Sequence, residues 1–254
     1  MSPPILLIHG TFSHGGLLAP WVRYFESAGY RVQAPSLPGR LPIDPVTLRK
    51  LTMSDCLDVL RRECVAMEEP PIVIGHSMGG LLGQQLAASA PCSALVLLAS
   101  APPGVLWAQP RALPHLARLM PRILAGRPFR PSASTLKAVV FNDLPDAEAR
   151  AQGEQLAPDS GRVFRSMVFG LNRVPRRAVQ CPVLCLSGGV DRNVSARISR
   201  SISSRYDASH HEFARRGHWL IAPSGVDEVA SVVLRWLQDL GLGAEPSAAS
   251  TGQG

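Results

Sequence analysis

Ser77 stands between two glycines in Gly75-His76-Ser77-Met78-Gly79. Asp191 closes the loop Ser187-Gly188-Gly189-Val190-Asp191, and His218 sits in Gly217-His218-Trp219. A serine hydroxyl is a weak nucleophile near neutral pH. An imidazole that takes its proton, itself oriented by a carboxylate, makes it competent to attack an acyl carbon. The chain thus carries a nucleophile, a base and an acid, each in a glycine-bearing loop.

Such groups work only if rigid elements bring them together. Ile72-Val73-Ile74 is a β-branched run that reads as a buried strand, and residues 81–88 show apolar side chains at helical spacing. A serine between the two sits on a tight, strained turn. Gly75 and Gly79 leave room where side chains would strike the neighbouring strand and helix. The turn lifts the hydroxyl above the sheet edge at the positive end of a helix, and the Met78 N–H points to where an oxyanion would form. Residues 5–9, 31–34, 94–99, 182–186 and 206–213 read as further strands. The most apolar of them suit burial on both faces of a parallel sheet. Residues 21–28, 56–65, 195–203 and 227–240 read as helices, with Thr52 to Asp55 as cap residues for the second. Alternation stops at 101–179, a proline-rich stretch with short helical patterns that is too long for a simple loop. The expected organisation is a core of 1–100 and 180–240, a helical cap of 101–179, and a small, polar, disordered tail of 241–254.

On Ile5-Leu6-Leu7-Ile8-His9-Gly10-Thr11, Gly75 to Gly80, Gly188-Gly189-Val190-Asp191 and Gly217-His218-Trp219, the chain resembles the α/β-hydrolase superfamily. The resemblance covers nearly the whole chain and is greatest to small bacterial serine esterases with a helical cap. It implies an α/β fold with a doubly wound, mostly parallel sheet of about six strands. It implies the catalytic order Ser77, Asp191, His218. It also implies that the loop after His9-Gly10 supplies the second oxyanion donor, the Thr11 N–H with Phe12 as alternative, opposite Met78. Dehalogenase and epoxide-hydrolase relatives carry Asp at the elbow, so Ser77 argues against both. Serine suits esters, lactones and thioesters.

The leading expectation is cleavage of a carboxylic ester or lactone through an acyl-enzyme, with no metal and no cofactor. Phe12, His14, Ser100, Trp107 and Trp219 are candidates for the substrate pocket, with Leu106 and Met78 as apolar additions. His9 and His76 read as structural. Two alternatives stay open: a thioesterase or acyltransferase whose cap arginines hold a carrier phosphate, and a non-catalytic ligand-binding receptor.

The net charge of +7 comes almost wholly from arginine, the only lysines being Lys50 and Lys137. No basic run is interleaved with aromatics, so a small-molecule acyl substrate is expected and nucleic acid is not. The five cysteines are odd in number, which favours reduced thiols and a cytoplasmic location over a disulfide framework. Cys181 and Cys185 are read within one strand. The first residues carry no charged region and no long apolar stretch, so neither a signal peptide nor a membrane partner is expected.

Overall fold

The computed structural model describes residues 2–107 and 109–243. Six strands form one parallel sheet: β1 (Ile5–Ile8), β2 (Val32–Gln33), β3 (Ile72–His76), β4 (Ala94–Leu98), β5 (Val183–Gly188) and β6 (Ser209–Phe213). Their spatial order is β2-β1-β3-β4-β5-β6. The fold is thus α/β, as its hydrophobic runs imply. β1, β3, β4 and β5 are buried along their full lengths, which is what coverage of both sheet faces demands. β6 is an exposed edge strand and correspondingly polar.

Alternate residues of each strand feed two cores. Ile5, Leu7, Ile72, Ile74, Val96 and Leu98 face one side, covered by α1 (Ala19–Ser27) and α10 (Val226–Asp239). Leu6, Ile8, Val73, Leu95, Leu97 and Cys185 face the other. There α2 (Pro45–Lys50), α3 (Met53–Val65), α4 (Met78–Ala87) and α9 (Ala196–Tyr206) supply Leu48, Leu60, Leu82 and Ile202. Thr52 caps α3 in a full capping box with Asp55.

Between β4 and β5 the chain inserts α5 (Leu113–Leu124), α6 (Ala133–Val139), α7 (Asp146–Gln155) and α8 (Gly161–Val168). No strand interrupts the described part of this insertion. Its only sheet-like feature there is an antiparallel bridge between Phe129 and Asp159.

Several boundaries differ from expectation. Cys181 lies before β5 rather than in it, because the strand's ladder to β4 pairs Val183 with Leu95. Residues 206–208 are not strand: Tyr206 ends α9, and Asp207 turns in the left-handed region at φ +52°. Helix α2 was not foreseen; Asp44 caps it by accepting from the amides of Val46 and Thr47. The tail expected over 241–254 begins packed: the Tyr30 hydroxyl donates to the Leu242 carbonyl at 3.1 Å. Its remainder, 244–254, lies outside the described residues. No described helix is long and apolar enough to cross a membrane.

Gly79 shows how tightly α4 meets β1. A Cβ there would lie 2.2 Å from the Ile8 carbonyl oxygen and 2.6 Å from that of His9, both backbone atoms that cannot yield cheaply. Gly79→Ala is expected to destabilise the chain by about 3 kcal/mol, the upper range for overpacking. For a domain of this size that lowers Tm by roughly 6–12 °C. A thermal melt checks it, and an unchanged Tm would show that helix and strand slide apart freely.

Candidate active site

β3 delivers its last residue, His76, to the C-terminal edge of the sheet, and α4 begins at Met78. Ser77 between them has φ +54° and ψ −117°. A non-glycine residue there is strained by about 1–3 kcal/mol. The strain is held by neighbours: the Ser77 N–H donates to Leu98 O, and Ser77 O accepts from Gly80 and Ala101.

Asp191 and His218 arrive on the loops after β5 and β6. Gly188 explains how close those loops run: a Cβ there would meet the carbonyl oxygens of Gly217 and Arg216 at 2.2 and 2.3 Å. Only a bare backbone permits that approach. As a result His218 Nε2 lies 3.0 Å from Ser77 Oγ, and His218 Nδ1 lies 2.9 Å from Asp191 Oδ2. Asp191 Oδ1 accepts the N–H groups of Asn193 and Val194 at 2.7 and 2.9 Å. With both oxygens occupied and the carboxyl buried, the remaining role for Oδ2 is to accept from His218 Nδ1–H. That leaves the Nε2 lone pair for the serine proton. The three groups chosen for their chemistry are therefore brought together, across 141 and 27 residues of chain.

His76 and His9 flank this chain of bonds and are wholly buried. His76 Nε2 donates to the His218 carbonyl at 2.9 Å, bracing His218 from behind. Burial and the neighbouring His218 lower its pKa to about 3. His9 donates from Nδ1 to Gly10 O and accepts the Leu37 N–H at Nε2. Burial and Arg40 lower it, too, to about 3. Both are neutral scaffolding around His218.

The N–H groups of Thr11 and Met78 donate to no protein acceptor among the described residues. Phe12, the alternative to Thr11, does: its N–H donates to Asp159 Oδ2 at 2.8 Å. Of these three amides, those of Thr11 and Met78 are therefore the free ones.

Beside Ser77 and His218 opens a largely apolar pocket. Its walls are largely insertion side chains, among them Leu116, Leu119, Val139, Val140 and Leu156. Of the candidates for the substrate pocket, Phe12, Leu106 and Trp219 line it. Three other candidates do not. Trp107 is 74% exposed and faces away, while Leu106 beside it turns inward. Ser100 is buried against α4, donating to Ala101 O and accepting from Gln84 Nε2. His14 points to the insertion, donating from Nε2 to Gln155 O at 3.2 Å. Met78 also lies outside the pocket wall; its side chain packs in the core below.

Three residues near this site escape a reading of the sequence. Asn193 lines the pocket and places Nδ2 3.0 Å from His218 Nε2, a second claim on that nitrogen's lone pair. Arg40 and Asp159 form an ion pair with side chains 0% and 1% exposed. Asn193 had a faint signal, two residues after Asp191. The ion pair had none, its members being 119 residues apart.

The profile of the alpha/beta hydrolase family matches residues 5–232. The chain is 28% identical over 217 residues to a pyrethroid hydrolase of Sphingobium wenxiniae, covering 80% of this chain and 76% of that one. It is 27% identical over 255 residues to the magnesium-chelatase 30 kDa subunit of Rhodobacter capsulatus, covering 93% and 87%. A methylesterase from Arabidopsis has the same fold, with a TM-score of 0.72 at 13% identity over 93% of this chain and 99% of that one. A family profile that spans the sheet, the elbow and both loops leaves one conclusion: the chain belongs to the alpha/beta hydrolase family.

Proposed function

We propose that the chain is a serine hydrolase that cleaves carboxylic esters or lactones through an acyl-enzyme. The observation that carries this reading is the Ser77–His218–Asp191 chain of hydrogen bonds opening on an apolar pocket with two unclaimed amides beside it. Ser77 Oγ attacks the acyl carbon as its proton passes to His218 Nε2. The Thr11 and Met78 amides hold the oxyanion, Asp191 holds the imidazolium, and collapse expels the alcohol with the proton from His218. Water then repeats the sequence on the ester of Ser77. The insertion acts as a cap whose apolar walls take the acyl or alcohol chain.

Relatives named as a pyrethroid hydrolase and as a magnesium-chelatase subunit pull in different directions, so the reading rests on the site. The pocket favours an uncharged, mostly apolar substrate of small to medium size. The polar side chains of its insertion wall are His115 and Thr135, with His115 Nδ1 3.0 Å from Thr135 Oγ1. A cytoplasmic setting fits the cysteines: burial pushes the thiols of Cys56, Cys64 and Cys181 up to about 11, and those of Cys92 and Cys185 to about 12.

One observation favours a second reading, action on a thioester carried on a phosphate-bearing arm. Residues 101–179 hold twelve Lys and Arg against five Asp and Glu, so the chain's whole net charge of +7 resides in the insertion. Such a field would draw an anionic carrier to the mouth of the pocket.

Hydrolysis of p-nitrophenyl esters from acetate to decanoate tests the first reading, with fluorophosphonate labelling mapped by peptide mass spectrometry. Turnover and a label on Ser77 are expected, with an optimum at medium chain length. Labelling without ester turnover, together with salt-sensitive hydrolysis of a coenzyme A thioester, would favour the second reading. Neither turnover nor labelling would leave a ligand-binding protein on a hydrolase fold.

A further inference from the structure

The loop that carries Thr11 is stitched to the segment joining α7 to α8. Phe12 donates its N–H to Asp159 Oδ2 at 2.8 Å, and its carbonyl accepts the Ala157 N–H at 2.8 Å. His14 adds its bond to Gln155 O. Phe12 is held in the left-handed region, at φ +63°. A non-glycine residue keeps that conformation only when its surroundings over-determine it.

Asp159 is the centre of this clamp. Arg40 grips it with two nitrogens, Nη2 at 2.7 Å from Oδ1 and Nε at 3.2 Å from Oδ2. The Ser160 N–H donates to Oδ1 at 2.6 Å. Arg40 also reaches the other side of the site: Nη2 lies 3.9 Å from Met78 Sδ. Burial opposes the charge on Arg40, but the Asp159 carboxylate outweighs it, and the guanidinium stays firmly protonated. One buried ion pair therefore touches the residue after Thr11 and the side chain of Met78, the two residues whose amides stand free.

Buried ion pairs are a poor source of stability, since apolar replacements of similar shape do as well or better. This pair makes more sense as a device for geometry. We propose that Asp159 and Arg40 are positioning residues for the oxyanion hole, and that they make its assembly depend on the insertion being seated. Asp159 comes from the insertion and Arg40 from the core, so lifting the 155–159 segment would take the acceptor from the Phe12 amide. Phe12 would then leave its φ +63° conformation, and the backbone of Thr11 joined to it would follow, so that the Gly10–Thr11 peptide plane, which carries the Thr11 N–H, would lose its aim. The proposal rests on the serine-hydrolase reading above.

The test compares wild type with D159N, which is nearly isosteric, and with the double variant D159N/R40Q, in which both groups are neutral and the side chain at position 40 is shorter. Circular dichroism and thermal melts establish which variants fold. Ester turnover then separates kcat from KM, and a trifluoromethyl ketone, which becomes a tetrahedral oxyanion on Ser77, reports on the hole itself. Loss of one oxyanion donor typically costs about 10²–10³-fold in kcat. The folded variants are expected to lose about that much in kcat, with KM within roughly threefold of wild type and ketone affinity falling in step with kcat/KM. A folded variant that keeps kcat and ketone affinity within threefold would overturn the proposal. So would failure of both variants to fold, which would assign the pair to stability. Wild type inert to every ester and to fluorophosphonate would instead remove the hydrolase reading, and this proposal with it.

Discussion

Asp191→Asn is expected to fold like the parent chain and to lose about 10⁴-fold in kcat, the cost of presenting the wrong imidazole tautomer. The geometry says which tautomer. Oδ1 of Asp191 faces two N–H donors, those of Asn193 and Val194. In the variant only the amide oxygen can occupy that place, because an NH₂ there would oppose two donors. The NH₂ is then left facing His218 Nδ1, which must become the acceptor, and the ring proton moves to Nε2. An Nε2–H cannot take the proton of Ser77. Ser77→Ala is expected to cost at least as much, and the double variant little more than either alone, since the groups act as a unit. Steady-state kinetics on a p-nitrophenyl ester check all three. An Asp191→Asn enzyme within tenfold of wild type, or a double variant with multiplied losses, would place the working acid elsewhere.

The parts of this site that can be read from the sequence are those specified by local chemistry. A β-branched run, a glycine, a serine and an apolar helix are adjacent in the chain, so the elbow declares itself. Asp191 and His218 each follow a strand, and parallel strands present their C-terminal ends at one edge. What cannot be read is what long-range packing decides. Trp107 is as apolar as any pocket residue, yet it faces solvent, because the course of a proline-rich segment is set by what it packs on. Ser100 ends a strand, as ligand-binding residues do, but Gln84 reaches across from α4 and engages it. Arg40 reads as one more surface arginine of a turn. Nothing nearby announces that an aspartate 119 residues further on will bury it. His14 looked toward the pocket from sequence alone and instead helps hold the insertion in place.

The neutral histidines set an acid limit on the fold. His9 and His76 have folded pKa values near 3 against 6.5 for the free side chain. A lowered folded value means that the native state refuses a proton which the unfolded chain accepts. The associated stability is therefore fully present above pH 6.5 and is lost as the pH falls from there toward 3. At pH 5 the unfolded chain has paid in about 1.5 pH units of protonation at each site, or about 2 kcal/mol each at 1.36 kcal/mol per unit. The pair should cost about 4 kcal/mol between pH 7 and pH 5, a large share of a typical domain's stability of roughly 5–15 kcal/mol. The structure gives the reason neither can adapt. Protonating His9 at Nε2 would set two donors, its own N–H and that of Leu37, against each other. Protonating His76 would bury a cation at Nδ1, which has no partner among the described residues, against the His218 ring 5.1 Å away. Urea unfolding at pH 7 and pH 5 measures the difference. Repulsion within the basic insertion also grows on acidification, so His76→Gln serves as the control: it should remove about half of the loss. A difference under 1 kcal/mol, or one that His76→Gln leaves untouched, would mean that these imidazoles take up protons in the native state.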